Sequence, residues 1–253
     1  MVYLNMNKRI INIMNKNILK LKNKTILIVG ATSEISLSMI EQLRYLGCNL
    51  ILSYRNELKL KKLTSLNNDQ HEKYLYLDLE NENSINKFID NIKSLSIDYC
   101  IMNSASIDVN ADIVQINALK IIKLIKMIGI KTSYIVTSSI SYCSKKSLNL
   151  EDKYAYSKRL LMKLSYELAN EGFKIYLGHP GIIYTELFKK RHNKIKLLLP
   201  LIKHIIPSKD YGALCILNAI NANILAGEWS TPRFFNVWGM PKIKKFKFDI
   251  IFK

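Results

Sequence analysis

The chain has 253 residues, of which 49% are hydrophobic and 23% charged. That is ordinary globular composition, which excludes disorder at scale and leaves room for a sizeable core in one α/β domain. The formal net charge is +18, as a nucleic-acid or anionic-membrane surface would require. The lysines are scattered over every predicted element, however, and no zinc-finger spacing, helix-turn-helix signature or aromatic RNA-binding motif accompanies them. A composition rich in Lys, Asn and Ile explains the charge better, and no nucleic-acid partner is expected.

Residues 1–23 are basic with interspersed Ile, Leu and Met. They lack the apolar centre and the small-residue cleavage site of a signal peptide. They read as a loosely docked extension, with a surface helix that touches lipid as the alternative. Residues 24–253 read as a single domain. Thr25–Val29 is a short apolar run suited to a strand buried on both faces. A helix over Ser33–Leu46 follows and Gly47 ends it. Asn49–Ser53 is a second strand, Glu57–Leu66 a Lys-rich helix, Tyr74–Leu77 a third strand and Ser84–Ser94 a third helix. Tyr99–Met102 is a fourth strand, and Ile113–Ile128 a helix apolar on more than one side. Ser133–Thr137, the helix Tyr154–Asn170 and the strand Lys174–Leu177 complete the alternation. Helical sequence from Lys189 to Asn223, broken at Pro200 and Pro207, precedes a last predicted strand, Phe234–Val237. No apolar run reaches the ~18 residues of a spanning helix.

Strands alternating with helices imply a Rossmann-type α/β fold, a doubly wound and mostly parallel sheet with helices on both faces. In such a sheet a ligand lies outside the carboxyl ends of the strands, where strand order reverses. The polar motifs of this sequence follow those strand ends. After the first strand comes Gly30-Ala31-Thr32-Ser33-Glu34-Ile35-Ser36. A strand that turns into a helix N-terminus offers free amides and a positive dipole end to a pyrophosphate. After the second strand stands Arg55, where an acid would select NAD and a base accommodates a 2′-phosphate. Its planar guanidinium suits phosphate, so NADP is expected, with NAD the alternative.

Tyr154 and Lys158 are four residues apart at a helix start, hence on one face. Hydride transfer to a carbonyl leaves an alkoxide that needs a proton. A cation one turn away stabilises tyrosinate and brings tyrosine closer to working pH. Tyr156, the rival acid, has no lysine at that spacing. The four cysteines (Cys48, Cys100, Cys143, Cys215) form no CxxC pair. With four histidines lacking metal spacing, they exclude a zinc site or disulfide framework and fit a reducing cytoplasm. The histidines are expected at the surface or in loops.

Taken together these residues resemble the short-chain dehydrogenase/reductase family, in its short single-domain form, from about Thr25 to Gly239. Gly30 to Ser36 resembles the TGxxxGxG loop, with Glu34 and Ser36 in place of two glycines. Asp78-Leu79 resembles the pair that contacts adenine. Asn103 and Ala105 match the NNAG segment, Ser138-Ser139 the serine segment, and His179 to Thr185 the PGxxxT motif. The resemblance implies that Tyr154 is the general acid/base and that Lys158 lowers its pKa and holds the nicotinamide ribose. It implies that Ser139 (Ser138 in its default) binds the substrate oxygen and that Asn117 supports a water relay. Gly30, Thr32, Ser33, Glu34, Ile35, Arg55, Asp78, Leu79, Asn103, Ala105, Pro180, Gly181, Ile183 and Thr185 would line the cofactor, with Ile183 and Thr185 at the carboxamide. Residues 186–210 would form a substrate lid, and a homodimer or homotetramer is implied. The expected activity is hydride transfer between NADP(H) and a small carbonyl or alcohol. A non-catalytic dinucleotide-binding regulator is the alternative reading.

Overall fold

The computed structural model describes residues 18–64, 71–108, 111–144, 152–191 and 206–252. Eight strands form one sheet in the order β3-β2-β1-β4-β5-β6-β7-β8. They are β1 (Thr25–Val29), β2 (Asn49–Tyr54), β3 (Glu72–Tyr76), β4 (Tyr99–Met102), β5 (Ser133–Thr137), β6 (Lys174–Gly178), β7 (Glu228–Phe234) and β8 (Trp238–Lys245). All neighbours pair in parallel except β7 and β8, which form an antiparallel hairpin. The strand order reverses between β1 and β4, so the crevice expected of a doubly wound sheet opens between their carboxyl ends.

Alternation along each strand divides the core. Leu27 and Val29 of β1 join Cys100, Met102, Tyr134 and Val136 on one face. Ile26 and Ile28 join Ile101 and Ile135 on the other. The first face is covered by α3 (Glu82–Ile92), by the helical run that ends in α4 (Lys120–Ile128), and by α5 (Lys153–Asn170). The second is covered by α1 (Glu34–Tyr45) and α7 (Lys209–Leu217), which pack on each other. Two shorter helices, α2 (Glu57–Thr64) and α6 (Glu186–Arg191), follow β2 and β6, and α8 (Phe248–Ile251) closes the described chain.

Several expectations need adjustment. Ile18 and Leu21, assigned from the sequence to a loose extension, are fully buried in the second core face. A 3-10 turn at Leu19–Leu21 places them there, and the Cys48 thiol donates to the Leu21 carbonyl at 2.9 Å. Residues 1–17 lie outside the described residues. The strand at β3 begins two residues early because Glu72 is not a solvated end. Its carboxylate is buried against the guanidinium of Arg44 and also accepts from the Tyr74 hydroxyl. The apolar sides of Ile113–Ile128 are consumed within the chain, where Ile121, Ile122, Leu124 and Ile125 are all buried.

The largest error is at the C-terminal end. The expected strand Phe234–Val237 is the turn of a hairpin: the Val237 amide donates to the Phe234 carbonyl at 2.9 Å, and Phe235 and Asn236 have φ of 51° and 58°. The strands on either side were hidden by Pro232 and Pro241, which face each other across the ladder. Proline reads as a strand breaker because it has no N–H to donate. β7 also buries Ser230 and Thr231, so it lacks an apolar pattern. Ser230 is satisfied by the amide of Asn218, 3.0 Å away.

Candidate active site

The loop after β1 is held by hydroxyl groups where glycines were expected. Gly30 has φ of +83°, and a Cβ there would meet the backbone of Ser104 at 2.9 Å, so only glycine lets β1 and the β4 loop approach this closely. The Gly30 amide donates to Ser53 Oγ at 2.9 Å, and the Ala31 amide to the Ser53 carbonyl at 3.1 Å. Ser33 caps α1, its hydroxyl accepting from the Ser36 amide at 3.2 Å. Ser36 is fully buried and donates to the Gly30 carbonyl at 2.8 Å. Asn103 donates to both hydroxyls, at 2.9 Å to Ser33 and 2.7 Å to Ser36. Ser36 is thus a structural brace, and its hydroxyl is spent inside the loop.

Glu34 reaches the segment that follows β6. Its Oε2 accepts from the amide of Glu186 at 2.7 Å, so the carboxylate caps the start of α6. Its negative charge is thereby partly met by a backbone amide donor. The first amides of any α-helix lack intrahelical partners, and those of Glu34 and Ile35 find none among the described residues. With Thr32 and Ser33 half-exposed beside them, this helix start fits an anionic group such as a pyrophosphate.

At the ends of β2 and β3, two predicted cofactor residues meet each other. Arg55 Nη1 lies 2.8 Å from Glu80 Oε2 and 3.6 Å from Asp78 Oδ1. Asp78 also accepts from the Glu80 amide at 3.0 Å, while Leu79 is buried. The guanidinium is 57% exposed, which keeps it reachable, but it already has two carboxylate partners. Ala105 is exposed in the loop after β4.

The proposed acid–base pair sits on the first two turns of α5. Asp152 caps that helix, accepting from the Ala155 amide at 3.0 Å. Lys158 is 2% exposed. Its ammonium lies 5.8 Å from the centroid of the Tyr154 ring and donates to the Thr137 carbonyl, at the end of β5, at 3.1 Å. Burial lowers its pKa from the ordinary 10.5 to about 8. Tyr154 is half-buried beside it. Tyr156 points to another side of the helix, where the Arg159 guanidinium lies 5.4 Å from its ring centroid.

The two serines after β5 separate by burial. Ser138 is 2% exposed and its hydroxyl donates into the sheet, to the Gly178 carbonyl at 3.3 Å. Ser139 is half-exposed, and its hydroxyl donates to Ser141 Oγ at 3.0 Å and caps the 3-10 turn Ile140–Cys143. Asn117 is fully buried and clamps the β4 loop with both ends of its amide: Oδ1 accepts from the Ser106 amide at 2.7 Å and Nδ2 donates to the Ser106 carbonyl at 2.8 Å. It occupies a π-helical turn, Gln115–Leu119, inside the expected Ile113–Ile128 helix. Ser157, which the sequence did not single out, receives a 3.4 Å contact from Asn117 Nδ2 and donates to the Tyr154 carbonyl at 2.8 Å.

After β6, Gly181 has φ of +87°, and a Cβ there would meet Pro232 and the Val237 carbonyl at 2.7 and 2.8 Å. Pro180 and Ile183 pack against Gly212 of α7. Ile183 and Thr185 are buried. His179, expected at the surface or in a loop, follows β6 but is 2% exposed. Its ring stacks on Trp229 at 5.2 Å, and Nε2 contacts the Asn236 carbonyl at 3.1 Å. Burial pushes its pKa down to about 4. Of the expected lid, residues 192–205 lie outside the described residues. Among the described residues no His/Cys/Asp/Glu cluster could hold a metal ion, and no helix is long and apolar enough to cross a membrane.

No family model and no curated protein matches the sequence. Solved structures do match the fold. A short-chain dehydrogenase/reductase (glucose/ribitol dehydrogenase) from Brucella melitensis superposes with a TM-score of 0.63 at 18% identity, covering 78% of this chain and 88% of its own. A protein from Mycobacterium paratuberculosis gives 0.65 at 19% identity over 91% and 88%. An actinorhodin polyketide ketoreductase solved with NADPH gives 0.63 at 15% identity over 78% and 90%. Strand order, crevice and these superpositions agree: the chain has the short-chain dehydrogenase/reductase fold.

Proposed function

We propose that the protein is an oxidoreductase that transfers hydride between NADP(H) and a carbonyl or alcohol substrate. One observation carries the reading above all: a buried, depressed-pKa lysine sits one turn from a half-buried tyrosine and bonds the end of β5, the strand that the half-exposed Ser139 follows, at the carboxyl edge of the sheet. When bound, the nicotinamide supplies or accepts the hydride. Tyr154 delivers a proton to the substrate oxygen or removes it. Lys158 stabilises the tyrosinate that this exchange leaves, in a low-dielectric setting where the charge acts strongly. The half-exposed Ser139 hydroxyl orients the substrate oxygen, whereas Ser138 is turned into the sheet. Asn117 positions rather than reacts, because both ends of its amide hold the Ser106 backbone.

For the cofactor, the free amides of Glu34 and Ile35 with Thr32 and Ser33 would take the pyrophosphate, and Gly30 permits its close approach. Asp78, Leu79, Asn103 and Ala105 would surround the adenosine side; Pro180, Gly181, Ile183 and Thr185 would surround the nicotinamide. Arg55 would receive a 2′-phosphate, exchanging one of its two carboxylate partners for it. The structural neighbour solved with NADPH supports a nicotinamide dinucleotide; the choice of NADP over NAD rests on Arg55. Assembly as a homodimer or homotetramer in the cytoplasm belongs to the same proposal.

Fluorescence titration with NADPH and NADH, followed by turnover on a panel of aldehydes and ketones, tests it. Tight binding of NADPH with reduction of some panel member is expected. Absence of binding by both nucleotides would refute the oxidoreductase, and binding without turnover by any substrate would favour a dinucleotide-sensing regulator.

A further inference from the structure

The hairpin that the sequence concealed ends in an unusual tip. Phe235 and Asn236 both adopt the left-handed region in the turn between β7 and β8. A two-residue turn of this kind suits Asn or Gly at both central positions. Phe235 is neither, and its ring finds no compensating burial: it is 84% exposed, with Phe234 at 57% and Trp238 at 39%. Two largely exposed phenylalanines and a part-exposed tryptophan therefore stand at one tight turn. Folding does not account for the Phe234 and Phe235 rings, because exposed rings contribute little to a core.

Cations surround this apolar tip. The Arg233 guanidinium lies 5.9 Å from the Phe234 ring centroid. Lys244 donates to Asn236 Oδ1 at 3.0 Å, and Lys242 is exposed on the same strand. Among the described residues none of Arg233, Lys242 and Lys244 has a carboxylate within ion-pair distance. Aromatic rings that reach past unneutralised cations match the layering of an anionic bilayer, with phosphates outside and acyl chains within. A second copy of this chain fits the patch less well. Across a two-fold axis the patch would face itself, and the same three cations would be brought together.

We propose that the Phe234–Trp238 tip is a docking element for anionic lipid surfaces. The Phe234, Phe235 and Trp238 rings enter the headgroup region, and Arg233, Lys242 and Lys244 contact lipid phosphates and carboxylates. The element is rigidly tied to the carboxyl edge of the sheet. The Asn236 carbonyl contacts His179 Nε2 at 3.1 Å, and the Val237 carbonyl leaves room at Gly181 for nothing larger than hydrogen. Docking therefore sets the mouth of the crevice at the lipid surface, which suits a carbonyl compound delivered from the bilayer. That corollary rests on the proposed oxidoreductase; the docking does not.

The chain has two tryptophans, and Trp229 is buried, so Trp238 reports on the tip. Full-length protein is titrated with phosphatidylcholine vesicles containing about 30% phosphatidylserine and with phosphatidylcholine alone. Expected is binding to the anionic vesicles, quenching of Trp238 by brominated acyl chains, and loss of that quenching in Trp238→Phe. Raising salt from about 0.1 to 0.5 M should weaken binding several-fold. Phe234→Ser with Phe235→Ser should lower partitioning about tenfold or more. Arg233→Gln with Lys242→Gln should lower it about tenfold without touching an aromatic side chain, so the proposal stays testable if the first variant folds poorly. Absence of Trp238 quenching in anionic vesicles overturns the proposal. So does vesicle binding that neither double variant weakens, which would place lipid contact elsewhere, residues 1–23 included. Conversion of an oligomer to monomers by the aromatic variant, without vesicle binding by the parent, would reassign the tip to contact between copies. None of these readouts depends on turnover, so failure of the oxidoreductase reading would leave them intact.

Discussion

The phosphate loop and the catalytic helix have met their constraints in opposite ways. At the loop, two expected glycines are replaced by Glu34 and Ser36, and the surroundings absorb the change. Ser36 is braced by Asn103 and the Gly30 carbonyl, and Glu34 is drawn to the Glu186 amide. On α5, the Tyr154–Lys158 spacing is kept and its surroundings add burial and a carbonyl partner for the ammonium. The difference follows from what each region supplies. A loop that offers backbone amides needs a particular path of the main chain, and hydroxyl groups can hold that path where glycines are missing. Proton transfer needs a specific functional group at a specific place, for which no neighbour substitutes.

The comparison has consequences that can break it. The largest effect is expected from Tyr154→Phe, which should reduce turnover by about a thousandfold and leave the NADPH dissociation constant within about twofold. Steady-state assay beside fluorescence titration measures both, and retained turnover would remove Tyr154 from the chemistry. Next is Arg55→Ala, which should weaken NADPH by about tenfold or more relative to NADH, since one charge-assisted phosphate contact is lost. An equal loss for both nucleotides would end the case for NADP. At the loop, Asn103→Ala removes the donor shared by Ser33 and Ser36. A destabilisation of about 1–3 kcal/mol in urea unfolding is expected, together with weaker nucleotide binding. Unchanged binding would show that the serines hold the loop unaided. The smallest effect should come from Glu80→Gln, which loosens Arg55 from one carboxylate and should raise the preference for NADPH by a few-fold.

pH separates the two regions further. The Lys158 ammonium is present below a pKa of about 8 and lost above it, so kcat/KM should decline on the alkaline side of about 8 while nucleotide binding at the loop changes less. His179 acts at the other extreme. Burial holds its folded pKa near 4 against an ordinary 6.5. As pH falls through that window the unfolded imidazole takes up a proton that the folded one refuses, so stability is lost from about 6.5 down to 4. His179→Gln should remove on the order of 2 kcal/mol of that acid-side loss, read from urea midpoints at pH 5 and pH 7.

The parallel part of the fold was legible because each of its strands is a short apolar run set between helices with visible ends, as at Thr25–Val29 and Gly47. Motif order along the chain likewise placed Gly30, Asn103, Ser139, Tyr154 and Lys158 at one edge of the sheet, where the structure has them. What escaped was of a different kind. Prolines facing one another at 232 and 241 masked β7 and β8, because pairing across a ladder leaves no trace in a local pattern. Ser53, Ser157 and His179 were missed because their roles depend on partners distant in sequence, the Gly30 amide, the Asn117 side chain and the Asn236 carbonyl. The sequence leaves Arg55 free to meet a phosphate; that Asp78 and Glu80 reach it first depends on the alignment of β2 with β3.

The π-helical turn at Gln115–Leu119 has a further meaning for length variation. Such a turn holds one residue more than an α-turn. Deleting one residue there would restore regular winding and let Ile121 through Ile125 keep their places in the core. The flanking helix would stay in register, and only the side chains inside the turn would be redistributed, carrying Asn117 away from the Ser106 backbone. A single-codon deletion at this position should therefore spare the domain while releasing the β4 loop, making it a cut that separates having this fold from having a working crevice.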